Sequence, residues 1–194
     1  MLSEKKDSKF ENEIFILQNK LKNSLFDEVI KKSKFLLKKH QHEKKILNGI
    51  PVLYNLISLA YQSKLDYGNS IKIMEEALKL NPKNIFYLNN MAISQHKNKD
   101  YVEAEKYFKR ALEIDPDYIN VLNNFANLKK DLDKVDEAIT YYEKSVSIND
   151  NILITNYNLS SMYIQKGEYE KAIKHLKKAL EINPKFTTAD RVLS

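Results

Sequence analysis

Three prolines constrain this 194-residue chain more tightly than any other feature. Pro82, Pro116 and Pro184 stand in KLNPK, EIDPD and EINPK at spacings of 34 and 68, and the missing member of the series is Asp150 in SINDN. A fixed period of this length marks a repeat architecture. Cutting at 34 residues gives the units 51–84, 85–118, 119–152 and 153–186. Small residues then align at position 8 (Ser58, Ala92, Ala126, Ser160), position 20 (Ser70, Ala104, Ala138, Ala172) and position 27 (Ala77, Ala111, Ser145, Ala179). Large apolar residues fill position 7 (Ile57, Met91, Phe125, Leu159) and position 24 (Met74, Phe108, Tyr142, Leu176). An aromatic holds position 17 in Tyr67, Tyr101 and Tyr169, with Val135 the exception.

Within each unit the apolar residues recur three and four apart in two runs, such as Leu53, Leu56, Ile57, Ala60 and then Ile71, Met74, Ala77, Leu78. That period is helical, so each unit is two helices with one apolar stripe apiece. Small residues let helices approach closely, large ones fill the space between units, and proline stops the second helix. A lone unit cannot bury its own stripe, so the units must stack. Only three glycines (Gly49, Gly68, Gly167) and four prolines occur, which favours helix over strands joined by tight turns. The same three glycines cannot build a Gly-rich phosphate loop. With no cysteine, a disulfide scaffold, a Cys-based zinc site and a Cys nucleophile are excluded.

This pattern resembles the tetratricopeptide repeat (TPR) over residues 51–186, about 70% of the chain. The resemblance implies an all-α fold, a right-handed superhelical solenoid of antiparallel helix pairs with the first helices lining a concave groove. The family's glycine at position 15 survives only as Gly167; Leu65, Lys99 and Asp133 replace it, which suggests slightly different turns between those helices.

The flanks extend the pattern. Residues 10–50 read as a degenerate N-terminal repeat or cap with an insertion at 44–50; Phe26 falls on Tyr169, Val29 on Ala172 and Leu36 on Ala179. Ile14, Phe15, Leu17 and Leu21 are expected on the core side of its first helix. Residues 1–9 are expected to be disordered, and 187–194 to begin a truncated further helix, as in a fragment of a longer protein. The segment NPKFTTADRVLS is similar to the end of TPR arrays that precede bacterial sulfotransferase domains. No apolar run follows MLSEKKDSKF and none approaches the roughly 18 residues of a membrane span, so a soluble, cytoplasmic protein with no membrane partner is expected.

Charge narrows the partners. Residues 1–50 hold 12 Lys against 7 acids, whereas 51–194 hold 20 basic and 19 acidic residues. The body is near neutral, and with 30 Lys to 2 Arg no nucleic-acid partner is expected. His40 and His42 in HQHE, with Glu43, offer too few ligands for a metal, and a solvated loop is the better reading. His175 is expected at the surface. No nucleophile–base–orienter set is visible, so no catalytic residue, cofactor or metal is assigned.

The family resemblance implies that positions 2, 5, 6, 9, 12 and 13 of each first helix face the groove. Position 6 reads Leu56, Asn90, Asn124, Asn158 and position 5 reads Asn55, Asn89, Asn123, Tyr157. The column Asn90, Asn124, Asn158 resembles the asparagine ladder in the TPR region of O-linked N-acetylglucosamine transferase, where an Asn at this position grips the backbone of an extended peptide. One Asn side chain carries an acceptor and two donors, enough to pair with one peptide unit. The candidate peptide-binding residues are therefore Asn55, Phe86, Asn89, Asn90, Asn123, Asn124, Asn127, Tyr157 and Asn158, with Phe86 and Tyr157 adding aromatic contact. Position 2 (Val52, Phe86, Asn120, Ile154) and the absence of Lys or Arg at positions 5 and 6 argue against a carboxylate clamp. His96, Lys130 and Asp131, at positions 12 and 13, are expected to tune the groove's charge. Two competing readings stand beside this one. The Asn excess (20 residues) is what an AT-rich genome produces, and adjacent first helices can bond Asn to Asn. The expected function is a non-catalytic scaffold binding an extended protein segment. The alternatives are the substrate-recruiting region of a larger sulfo- or glycosyltransferase, and self-association as a homo-oligomer through the C-terminal repeat face.

Overall fold

The computed structural model describes residues 2–40 and 49–186. Among them are ten α-helices and no strand: α1 (Leu2–Lys22), α2 (Phe26–His40), α3 (Gly49–Ser63), α4 (Tyr67–Leu80), α5 (Ile85–Lys97), α6 (Tyr101–Ile114), α7 (Ile119–Asp131), α8 (Val135–Ile148), α9 (Leu153–Lys166) and α10 (Tyr169–Ile182). The all-α TPR architecture of helix pairs follows, and each 34-residue unit contributes one pair. The chain divides into two compact units, Met1–Tyr107 and Phe108–Ser194.

The turn inside each pair is the same turn five times. Ser24, Leu65, Lys99, Asp133 and Gly167 all hold positive φ, between 57° and 77°. The residue after each donates its amide to the carbonyl five residues back: Leu25 to Lys20 at 3.0 Å, and Asp66 to Tyr61, Asp100 to Gln95, Lys134 to Lys129 and Glu168 to Tyr163 at 2.9 Å. This is a left-handed C-cap of Schellman type, the setting where glycine is preferred. The expectation of slightly different turns at the glycine-less repeats is corrected here. Leu65, Lys99 and Asp133 adopt the glycine geometry because the 6→1 bond and the packing of the next helix impose it, at a conformational cost of about 1 kcal/mol each. Ser24 takes the same conformation at the residue that aligns with Gly167, so the N-terminal helix pair uses the repeat's own turn.

The turn between pairs rests on an Asx residue rather than on proline. Asn81, Asp115, Asn149 and Asn183 each accept, through a side-chain oxygen, the amide two residues on, at 2.9–3.3 Å. The third repeat has Asp150 where the others have Pro, yet Asn149 closes the same Asx-turn onto Asn151.

In the N-terminal unit, Leu17, Val29, Leu36, Leu53, Ile57, Ala60, Met74, Ala77 and Met91 form one buried cluster. Ile14 and Leu21 pack against it as partly buried residues. Phe15 does not. It is 60% exposed, and Phe10, one turn earlier in chain order, takes the buried place beside His40. Gly49 makes this possible, because a Cβ there would come within 2.2 Å of the Phe10 ring. Helix α1 reaches Leu2, so residues 2–9, expected as a disordered arm, continue the helix. The segment LSEKKDSKF holds no Gly or Pro to stop it. Of the expected insertion, 49–50 open α3 and 44–48 lie outside the described residues, as do 187–194.

In the C-terminal unit, Ala126, Ala138, Tyr142, Leu159, Met162, Tyr163 and Ala172 share a core, and Phe125 lies between Phe108 and Tyr141 at ring distances of 5.4 and 4.5 Å. The residues at position 8, 20 and 27 are almost fully buried throughout, as close helix approach requires.

Candidate peptide-binding face

The candidate residues fall on four first helices, and each unit has its own arrangement. In the N-terminal unit Asn55 lies on α3, and Phe86, Asn89 and Asn90 on α5. Asn90 is 5% exposed and donates its Nδ2–H to Asn55 Oδ1. Below this pair lies a chain of hydroxyls. Ser58 Oγ meets Ser70 Oγ at 2.8 Å, Ser70 Oγ meets Ser94 Oγ at 2.8 Å, and Gln62 Nε2 donates to Ser94 Oγ at 2.9 Å and to the Asn90 carbonyl at 3.3 Å. Three helices are joined by these bonds, so the face that carries Asn55 and Asn90 is held in one geometry. Asn89 is half-buried, and Phe86 is 54% exposed.

In the C-terminal unit Asn123, Asn124 and Asn127 lie on α7, and Tyr157 and Asn158 on α9. All five are half-buried. Asn158 Nδ2 donates to Asn127 Oδ1 at 3.2 Å, and the Tyr142 hydroxyl donates to the same oxygen at 2.5 Å. Burial pushes the Tyr142 hydroxyl well above its ordinary pKa, with Asp131 adding to the shift, so it stays a donor. Both lone pairs of Asn127 Oδ1 are thus engaged, and its amide protons are what it has left to offer. Asn123 Oδ1 is buried and accepts no hydrogen bond from the described residues. Tyr157 packs edge-on to Phe186 at 5.2 Å.

The asparagines are therefore cross-braces between neighbouring first helices at Asn55–Asn90 and Asn127–Asn158. Side chains that were expected to tune charge divide. His96 is buried against Tyr101 at 5.9 Å, because position 12 packs inward where the following helix begins with an aromatic. Lys130 is half-buried and Asp131 exposed. His175, expected at the surface, is half-buried. Its ring stacks on Tyr163 at 5.8 Å, and Nδ1 lies 2.9 Å from Asn156 Oδ1. Asn156 Nδ2 donates to the Asp150 and Ile152 carbonyls, so Nδ1 of His175 carries the proton in this bond. Of the HQHE set, His40 packs edge-on to Phe10 at 4.9 Å, and His42 and Glu43 lie outside the described residues. No group of three metal-ligating side chains occurs among the described residues.

Sequence reasoning missed Lys129, which is 1% exposed. Its Nζ sits 4.9 Å above the Phe125 ring and 2.6 Å from Glu137. Hydrogen bonding to Lys129 holds the Glu137 carboxyl below its usual range. Position 11 is buried at Lys129 and Tyr163 and half-buried at Tyr61 and Gln95, and the length of these side chains was the available signal.

Models of the tetratricopeptide repeat match residues 52–84, 83–151 and 117–185. No curated protein matches in sequence. Among solved structures, pilF of Pseudomonas aeruginosa superposes with a TM-score of 0.78 at 16% identity, covering 94% of this chain and 80% of that one. MamA from Desulfovibrio magneticus RS-1 gives 0.69 at 18% identity, covering 93% and 97%. YrrB, described as a TPR protein with an unusual peptide-binding site, gives 0.63 at 20% identity, covering 84% and 89%. These likenesses establish the fold. Among the described residues no helix is long and apolar enough to cross a membrane.

Proposed function

We propose a function from the premise that this chain belongs to the tetratricopeptide repeat family: it is a non-catalytic interaction module that binds an extended segment of another protein along the first helices of its repeats. The observation that carries this reading is the division of labour among the asparagines. Asn90 and Asn158 brace their neighbours, whereas half-buried Asn127, whose oxygen is already engaged twice, keeps its amide protons. A backbone carbonyl of an extended segment can accept from those protons. Asn89 and Asn124 lie half-buried on the first helices α5 and α7. Peptide backbone is common to all sequences, so selectivity would come from flanking contacts such as those of Phe86 and Tyr157. A groove of this kind gains affinity from several contacts of about 0.5–1.5 kcal/mol each.

The test separates bracing from binding. Asn89→Ala/Asn123→Ala/Asn124→Ala is expected to lose captured partner proteins, identified by mass spectrometry, at temperatures well below its own melting point. Asn90→Ala/Asn158→Ala is expected to lower the melting temperature first. Unchanged capture by a normally folded triple variant would overturn the groove reading.

A further inference from the structure

A concavity lies wholly within the N-terminal unit. It has a volume of about 760 Å³. Its floor is Tyr54, Ile73 and Tyr87, its apolar walls are Leu37, Ile50, Pro51 and Leu80, and its polar rim includes Lys34, Lys38, Lys72, Asn69, Asn81 and Glu76. None of these residues occupies a groove position of a first helix. The two tyrosines are 9% and 1% exposed and meet edge-on at 6.0 Å. Lys34 is held in place by donating to the Tyr61 hydroxyl at 2.9 Å, with its Nζ 5.2 Å over that ring. Lys38 and Lys72 are exposed side chains on α2 and α4.

From this cavity we infer a docking site for a short acidic segment of a partner protein, which inserts one or two large apolar side chains between α2 and α4 and sets its carboxylates against Lys34, Lys38 and Lys72. Size decides against a lone anion. Pockets of roughly 300–1,000 Å³ take side-chain-rich or drug-sized ligands, and aliphatic walls contribute nothing to a bare carboxylate or phosphate. Charge decides the sign. Three lysines face one acid, Glu76, among the described lining residues. The first 50 residues hold 12 Lys against 7 acids, so the field around the site steers an acidic partner inward. Ring geometry decides against nucleic acid. Tyr87, at 1% exposure, offers no open face on which a base can stack, and no arginine lines the site.

The probe is the peptide acetyl-Glu-Asp-Leu-Phe-Asp-Glu-amide, titrated into the ¹⁵N-labelled full chain at low salt. Shifts are expected at Leu37, Lys38, Tyr54, Lys72, Ile73 and Glu76. Lys38→Glu/Lys72→Glu is expected to melt normally and to weaken binding by about tenfold or more, and added salt to weaken it in the parent. Lys-Lys-Leu-Phe-Lys-Lys and a version with Ser for both apolar residues are expected to leave these amides unmoved. Absence of shifts at millimolar peptide would overturn the inference. So would equal binding by the charge-reversed variant, by the Ser peptide or by oligouridylate. So would shifts confined to Asn55 and Asn89. A last control asks whether the chain fills the site with its own residues 41–48. If Ile46→Asp/Leu47→Asp moves the same amides without peptide and tightens peptide binding, the native occupant is internal and the partner site is refuted.

Discussion

The two units obey one positional rule and satisfy it with different chemistry. In the first repeat, within the N-terminal unit, positions 8 and 20 are Ser58 and Ser70, and their hydroxyls run into Ser94 and Gln62 as a bonded chain. In the third repeat, within the C-terminal unit, the same positions are Ala126 and Ala138, and that unit carries Phe108, Phe125 and Tyr141 in ring contact. The amide braces differ in the same way. Asn90 reaches back to position 5 of the preceding repeat, whereas Asn158 reaches back to position 9, where the Tyr142 hydroxyl also arrives. What the repeat demands at these places is small volume and satisfied polar atoms, and either a hydroxyl chain or an apolar stack meets that demand.

The largest test removes the stack. Phe125 is fully buried between two rings, so Phe125→Ala is expected to cost about 3–5 kcal/mol in denaturant unfolding. The position-7 residue of the preceding repeat, Met91, has no ring stack to lose, and Met91→Ala is expected near the low end of about 2–5 kcal/mol. Equal losses would mean that the aromatic contacts add nothing beyond burial.

The next test contrasts two buried serines. Ser70 is the centre of the hydroxyl chain, and Ser70→Ala strands its neighbours, at an expected cost of about 1–3 kcal/mol. Ser145, equally buried at position 27, has a hydroxyl with no partner among the described residues. Ser145→Ala is therefore expected to be neutral or to raise the melting temperature slightly. A destabilised Ser145→Ala would show that its hydroxyl is satisfied in solution.

A smaller effect, common to both units, sits at position 15. Leu65→Gly is expected to stabilise by about 0–0.5 kcal/mol, the relief of a left-handed residue less the added chain entropy of glycine. Leu65 is 72% exposed, so little packing is lost. Gly167→Ala is expected to destabilise by a similar amount in the same melts.

That turn also marks the limit of what the amino-acid order reveals. Period, helix pairs and small-residue positions are legible because volume at positions 8, 20 and 27 leaves a direct trace in side-chain size. The identical turns at Leu65, Lys99 and Asp133 are not, because the backbone conformation is imposed by the 6→1 bond and not by the residue that bears it. The asparagine columns were legible as columns. Bonding of Asn to Asn between adjacent first helices was legible as an alternative; which Asn meets which was not, since an amide that faces a groove and one that braces the next helix share a repeat position and differ only by a side-chain rotation. Phe15 and His96 fail for a related reason. A helical stripe has a width of roughly 100°, and residues at its edge are decided by which neighbour arrives, Phe10 and Tyr101 here.

The smallest expected effect is a pH slope confined to the C-terminal unit. Burial, with help from Lys174, lowers the pKa of His175, and Glu143 opposes them without prevailing. The proton already on Nδ1 is committed to Asn156 Oδ1, so acid must add the second proton at Nε2, on a ring stacked against Tyr163 and near Lys171, which lies over that same ring. Between the unfolded pKa near 6.5 and the lower folded value, the unfolded chain holds more protons than the folded one. Stability therefore rises with pH across that window: the contribution is fully present above the unfolded pKa and is lost as pH falls through the window. Below the folded value the histidine adds no further slope. His175→Gln, which keeps a donor for Asn156 but does not titrate, is expected to flatten the slope between mildly acidic and neutral pH in thermal melts. A slope that survives His175→Gln unchanged would place the titrating group elsewhere.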